Sequence, residues 1–257
     1  MTVAHCGSVS APGLGLPASC AIAEAKGTLP KQMFYARGAV SSRLKQRFIN
    51  DIESITMLAL LRPETIHVEA GAKVREILVI GLRQLCAEAP VEVMEHIARL
   101  RSASNILFVC VRDGDGKGAA KTDASANPTA GSGVEGQQCL FALQHAAPAK
   151  AGRQEQAQAT TFTSPWMPTA SARLTVNGSS LDEVWQSLSA QVILGDEDGE
   201  NLDERIATQA RAAQLSAQIE KLEGDHQRAK TPAKRNEIYA KLHKARTELE
   251  NLQKARG

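Results

Sequence analysis

At Gly195-Asp196-Glu197-Asp198-Gly199-Glu200 the chain changes character, and that change constrains its architecture more than any other feature. Beyond Leu202 no strand pattern occurs, and Ala, Gln, Lys, Glu and Arg dominate. Leu215, Ile219, Leu222 and His226 step by 4, 3 and 4; Ile238, Leu242, Ala245, Leu249 and Leu252 step by 4, 3, 4 and 3. These are the a/d steps of heptads, which draw a narrow apolar stripe along one helix face. Thr231-Pro232 divides the two stripes, with Thr231 as N-cap and Pro232 at the first helical position, where a missing N–H is tolerated. The reading is a C-terminal α-helical hairpin (coiled coil) over 202–257. Its helices are 202–229 and 232–255, each about 40 Å long at ~1.5 Å per residue. A kinked rod that dimerises is the rival arrangement. A two-helix unit has little core and is marginal alone. Leu215, Ile219, Leu222, Ile238, Leu242, Leu249 and Leu252 are therefore expected to bind a partner protein or a second copy of the chain.

Ahead of the acidic hinge the pattern is mixed. Ser41 or Ser42 caps an expected helix over 42–61, with Leu44, Phe48, Ile52, Ile55, Leu58 and Ala59 on one stripe, ended by Pro63. Residues 65–69 alternate like a strand, 70–73 make a turn, and 74–82 give a longer β run. Pro90 opens a helix to about Ser102, with Val93, Met94, Ile97 and Leu100 as its apolar face. Asn105–Arg112 is apolar almost throughout and reads as a central strand. Strands follow at 139–145 and 159–164, then a helix over 181–194 carrying Val184, Trp185, Leu188 and Val192. The fold class is α+β, a mostly antiparallel sheet with helices 42–61 and 91–102 packed on it. The domain spans 31–195. Residues 1–30, rich in Gly, Ala, Pro and Ser, read as a loose lead-in with a short helix near 18–25.

Residues 113–138 hold six glycines, and Val134 is their only strong apolar residue. Such a stretch buries too little surface to offset its ordering entropy and reads as a disordered insertion. A second polar loop spans 146–157. Both lengthen hairpin connections at small cost, about 0.6 kcal/mol per doubling of length.

The 257 residues are 43% apolar and 23% charged, with net charge +2, which rules out a wholly disordered chain. Apolar runs such as Met57–Leu61 fall far short of the ~20 residues that span a bilayer, so no membrane association is expected. Cys6, Cys20, Cys86, Cys110 and Cys139 include no C-x-x-C pair, so neither a zinc knuckle nor a redox motif is indicated. No basic n-region with an apolar core opens the chain, and Pro17 interrupts the faint lipoprotein-like box Leu16–Cys20. The expected location is cytoplasmic, with reduced thiols.

Motifs for chemistry fail on inspection. A P-loop would need Gly where Asp115 and Ala120 stand, and a helix where Asp-Ala-Ser-Ala-Asn-Pro follows. Two calcium-loop beginnings, at Asp113 and Asp196, carry Ala124 and Ala207 at the twelfth position instead of Glu. Six histidines show no H-E-x-x-H; His67 reads as a strand residue and His96 as a helix flank. A magnesium nuclease gathers carboxylates and a lysine at a strand. Strand 76–83 has Gly81 and Arg83 instead, and Asp51 and Glu53 fall on the expected helix before it. No catalytic residue, cofactor or metal site is assigned. Lys31, Arg37, Arg43, Lys45 and Arg47 form a modest basic cluster suited to nucleic-acid contact. Aromatics, at 4%, leave few residues for base stacking.

Several short pieces fall in a particular order: Leu14-Gly15-Leu16-Pro17, Leu29-Pro30-Lys31-x-x-Phe34-Tyr35, and Leu44-Lys45-x-x-Phe48-x-x-Asp51-Ile52-Glu53-x-Ile55. Leu61-x-Pro63-Glu64-Thr65-Ile66, strand 76–83, Ile106–Val109 and Thr163-x-x-Trp166 continue the series. In that order they resemble the bacterial domain-of-unknown-function family numbered 4391, over nearly the whole chain apart from the two loops. The resemblance implies no catalytic residues. It implies genes beside helicases and DNA methyltransferases of restriction-like, phage-defence clusters. It also implies that relatives often carry an acidic residue and a lysine where Gly81 and Arg83 stand. The expected function is a non-enzymatic accessory or adaptor subunit that docks a helicase or DNA methyltransferase through its C-terminal helices. The alternatives are a divergent or degenerate nuclease-like domain and a direct nucleic-acid-binding module.

Overall fold

The computed structural model describes residues 2–36, 40–114, 136–146 and 159–254. The chain divides into two units, Met1–Glu200 and Asn201–Gly257. The first is built on a seven-stranded mixed sheet, the second on two helices.

The sheet strands are β3 (Thr28–Leu29), β4 (Ile52–Leu61), β5 (Ile77–Gln84), β6 (Asn105–Asp113), β7 (Gln137–Ala146), β8 (Ala159–Thr163) and β9 (Met167–Pro168). They run in the order β3-β4-β5-β6-β7-β8, with β9 beside β7. Every pairing is antiparallel except β5–β6, which is parallel with Ile77 opposite Asn105 and Arg83 opposite Val111. A parallel pair needs a crossover, and α5 (Val91–Leu100) supplies it. The mostly antiparallel α+β reading holds at this level.

β5 and β6 are buried on both faces, which explains their near-continuous apolar sequences. Leu78, Ile80, Leu82, Ile106, Phe108 and Cys110 face one layer, made by α5, α2 (Gln32–Tyr35) and α3 (Ser42–Asn50) through Val93, Met94, Ile97, Phe34 and Phe48. Ile77, Val79, Leu107, Val109 and Val111 face the other, where α6 (Leu181–Ile193) brings Leu181, Val184, Trp185 and Leu188.

The expected helix over 42–61 is instead α3 followed directly by β4. Ser41 caps α3, its hydroxyl accepting from the Leu44 amide. The difference has a structural cause. β4 carries irregularities between Ile52 and Ser54 and between Met57 and Ala59. Each extra residue stretches the two-residue alternation to three, so Ile52 and Ile55 face the same layer and imitate a helical stripe. Residues 65–69 are not a strand either. Pro63–Ile66 form a helical turn, α4, closed by His67 in the left-handed region at φ 56°.

The first thirty residues are not a loose lead-in. A hairpin of β1 (His5–Cys6) and β2 (Val9–Ser10), two 3-10 turns and α1 (Glu24–Gly27) lie on the sheet. Ala4, Cys6, Val9, Ala11, Leu14, Leu16 and Cys20 are buried. Small residues give a weak hydropathy signal yet allow close approach. A Cβ on Gly81 would stand 2.5 Å from the Cys6 Cβ, so a glycine is what lets this layer reach β5. A similar fit fixes the loop before β5. The Asp182 carboxylate at the start of α6 accepts from the amides of Ala72, Lys73 and Val74 at 2.7–3.2 Å. These bonds hold its pKa below the usual carboxylate range, against the opposing effect of desolvation.

Within the expected insertion 113–138, Asp113 belongs to β6 and Gln137 and Gln138 to β7; residues 115–135 lie outside the described ones, as do 147–157 of the second loop, whose Ala146 belongs to β7. The Gly114 amide donates to the Gly136 carbonyl at 2.7 Å and closes the stem.

In the second unit, α7 (Leu202–Arg228) and α8 (Pro232–Lys254) lie side by side as a hairpin. Leu215, Ile238, Leu242 and Ala245 are buried, while Ile219, Leu222, Leu249 and Leu252 are half-buried. Arg211 pairs with Glu248 at 2.5 Å and Arg246 with Glu223 at 2.6 Å, both between the helices.

Leu14 tests the corrected lead-in. Leu14→Ala should cost about 2–4 kcal/mol in a denaturant titration, the scale of a core cavity. A loose segment would give less than about 0.5 kcal/mol.

Candidate functional site

The C-terminal ends of parallel strands are where open α/β sheets place ligand sites. Here β5 and β6 end in Arg83 and Asp113 at one edge, and β4 begins there with Ile52-Glu53. Arg83 stands between the two carboxylates. Its Nε donates to Glu53 Oε2 at 3.3 Å and its Nη2 to Asp113 Oδ1 at 2.6 Å. The Arg83 side chain is only 13% exposed, whereas Glu53 and Asp113 are 55% and 76% exposed. The guanidinium stem is thus covered while the carboxylates face water. Gln137 Nε2 also donates to Asp113, and its Oε1 accepts from the Ser8 amide at 2.8 Å. This ties the N-terminal hairpin to the cluster. Arg83 Nη1 and the neighbouring Gln84 Oε1 are buried with no hydrogen-bond partner among the described residues.

On the other face of the same edge, Arg112 lies over Trp166, 4.0 Å from its ring centroid. Its guanidinium donates to Gln138 Oε1 and to the Ala87 carbonyl.

The cluster suits ion pairing better than acid–base work. The Arg83 hydrogen bond, with its charge, holds the Asp113 carboxyl below the usual carboxylate range, so it is a poor proton acceptor. Burial alone would lower the Arg83 pKa, but the bonds and charges of Asp113 and Glu53 outweigh it and keep the guanidinium charged. A guanidinium paired with both carboxylates offsets the negative charge that would attract a divalent cation. Among the described residues no three His, Cys, Asp or Glu gather as metal ligands. The thiols are equally unsuited to attack. Burial pushes Cys6 up to about 12 and Cys20 and Cys139 up to about 11, and raises Cys86 and Cys110 as well. A nucleophile needs the thiolate.

The expected nucleic-acid contacts fall on α2 and α3, with Arg37 outside the described residues. Lys31 Nζ donates to the Ile52 carbonyl at 2.7 Å. Arg43 and Arg47 both pair with Glu92 of α5, at 3.1 and 3.3 Å, and Arg47 also with Asp51. Lys45 lies 5.9 Å from the Tyr35 ring centroid. Each of these four cations thus has a partner within the sheet unit. His96 is a buried core residue, not a surface flank: its Nε2 lies 2.7 Å from the Phe34 carbonyl, and Phe48 meets its ring edge-on. The expected partner-binding residues form the seam of the hairpin, with Leu215, Ile238 and Leu242 buried in it.

The Glu53–Arg83–Asp113 cluster escaped the sequence reading because it depends on pairing. A charge directly after each apolar run, Leu82-Arg83 and Val111-Arg112-Asp113, was the available signal. Only the parallel register brings the runs to one edge.

Arg83→Gln should raise the titration midpoint of the Asp113 carboxyl, followed by carbon NMR, toward the ordinary value of ~3.9. Since the folded value is depressed, the stability this pair contributes is present above the unfolded pKa and lost as pH falls through the folded one. The wild-type acid unfolding curve should therefore flatten in the variant. An unchanged midpoint would remove Arg83 as the cause.

No curated protein and no solved structure matches the chain. No described helix is long and apolar enough to cross a membrane. One family does match, over residues 14–249, which takes in most of the sheet unit and most of the hairpin. The chain belongs to the family described as Domain of unknown function (DUF4391).

Proposed function

We propose that this protein is a non-enzymatic accessory subunit of a bacterial restriction-like or phage-defence complex, and that its helical hairpin docks a helicase or DNA methyltransferase. One observation carries the reading: the hairpin seam is only partly closed. Leu215, Ile238 and Leu242 are buried between α7 and α8, but Ile219, Leu222, Leu249 and Leu252 keep part of their surface in water. A third helix laid along this strip would complete the burial and extend the heptads into a coiled coil. Burying the remaining exposed part of each such side chain adds up to about 1 kcal/mol, at ~25 cal/mol per Å². The identity of the partner rests on the family resemblance. The non-enzymatic part rests on the sheet edge, where Arg83 neutralises the two carboxylates that a nuclease would use for metal.

Affinity purification of the tagged protein from its native host should recover a helicase or methyltransferase. Ending the chain after Glu200 should release that partner, and Ile219→Glu should weaken its retention at least about tenfold, the effect of a charge set against a buried helix. Full retention by residues 1–200 would place docking on the sheet unit instead. Separately, the purified protein should leave plasmid and linear DNA intact with magnesium or manganese. Cutting that disappears in Glu53→Ala or Asp113→Ala would make the sheet edge an active site.

A further inference from the structure

The charge on the hairpin is unevenly spread. Residues 228–246 carry seven Lys or Arg against one acid, Glu237. Residues 202–227 carry three Lys or Arg against five acids. The whole basic excess of this unit is thus gathered on the turn and the first two-thirds of α8. Internal pairing consumes only part of it. Arg228 pairs with Asp225 at 3.1 Å, Lys241 with Glu237 at 2.6 Å and Arg246 with Glu223 at 2.6 Å. The acids nearby are then used, and Lys230 and Lys234 stand exposed beside them. Both line a groove of about 580 Å³ at the tip, whose walls also carry Arg228, Thr231 and Lys241 together with the paired acids Asp225 and Glu237, four cations against two carboxylates.

A hairpin shaped for stability alone would alternate its signs, because like charges one helical turn apart repel. No acid stands in the first turn of α8, so the helix dipole adds to the positive potential instead of offsetting it. Arg235 caps the Ala229 carbonyl and Glu237 faces Lys234 as well as Lys241, so the local excess of one sign is only partly offset, as at a surface kept for binding. The chemistry of the rim favours phosphates over a protein. Lysines, a threonine hydroxyl and backbone amides are the groups that position phosphate backbones. Protein interfaces lean on buried aromatic anchors, and Tyr239, the only Phe, Tyr or Trp of this unit, is 58% exposed.

We infer that the tip of the hairpin, around Lys230 and Lys234, binds the phosphate backbone of nucleic acid without reading its sequence. The inference goes beyond the docking role and is independent of it, since Lys230 and Lys234 can be altered without touching the half-buried seam residues.

The test uses the full chain and fluorescence anisotropy with labelled duplex DNA of about 30 base pairs, in salt from about 50 to 200 mM. Duplex RNA, single-stranded DNA and poly-glutamate are parallel probes. Wild type should bind the nucleic acids with affinity that falls steeply as salt rises. Lys230→Glu with Lys234→Glu should lose at least about tenfold at low salt and flatten the log–log salt slope by about two units, roughly one for each phosphate no longer neutralised. Lys230→Gln with Lys234→Gln should fall between, and Lys26→Glu on the sheet unit should change nothing. Circular dichroism confirms that each variant retains its helices. Three results would overturn the inference: no binding of any nucleic acid by wild type, binding indifferent to the tip variants, or poly-glutamate held as tightly as DNA. Preference between DNA and RNA then identifies which backbone the tip meets.

Discussion

The parallel contact between β5 and β6 organises the sheet unit. Parallel strands cannot be joined by a tight turn, so the chain must leave the sheet, form α5 and return. That excursion covers one face with Val93, Met94 and Ile97. It makes both strands interior ones and obliges the opposite face to find its own cover. Two distant segments supply it, the N-terminal thirty residues and α6. The same contact brings the ends of both strands to one edge, where the charged cluster gathers.

Elements whose signal is local were readable from the sequence. Asn105–Asp113 as a central strand, α5, α6 and the break between α7 and α8 lie within a few residues of their expected positions. Caps, apolar periods and Pro232 carry that information within one turn or one strand. What could not be read depended on partners. The irregularities of β4 make sense only against β5, and they turned a strand into an apparent helix. The lead-in looked loose because alanine, glycine and cysteine score weakly, although their small size is what allows them to seat on the sheet. The candidate site was illegible for the same reason: Glu53, Arg83 and Asp113 are thirty residues apart at each step and meet only through the sheet.

Charge does different work in the two units. In the sheet unit three arginines pair with acids: Arg47 with Asp51 and Glu92, Arg62 with Glu76, Arg83 with Glu53 and Asp113. Each is paired with a nearby acid, although Arg83 keeps one buried nitrogen without a hydrogen bond among the described residues. Around the α7–α8 turn cations outnumber the acids within reach. The basic residues that stood out in sequence on α3 each have a partner within the sheet unit, Glu92, Asp51 or the Tyr35 ring.

The hydrogen bond from Gly114 to Gly136 bears on loop length. It brings the outgoing and returning chain together at the spacing of neighbouring strands before the intervening sequence begins. The β6–β7 ladder is complete beneath it, so the sheet imposes no length on what is carried above. A change of length between such closed ends costs the fold little, because loop-closure entropy grows only with the logarithm of length.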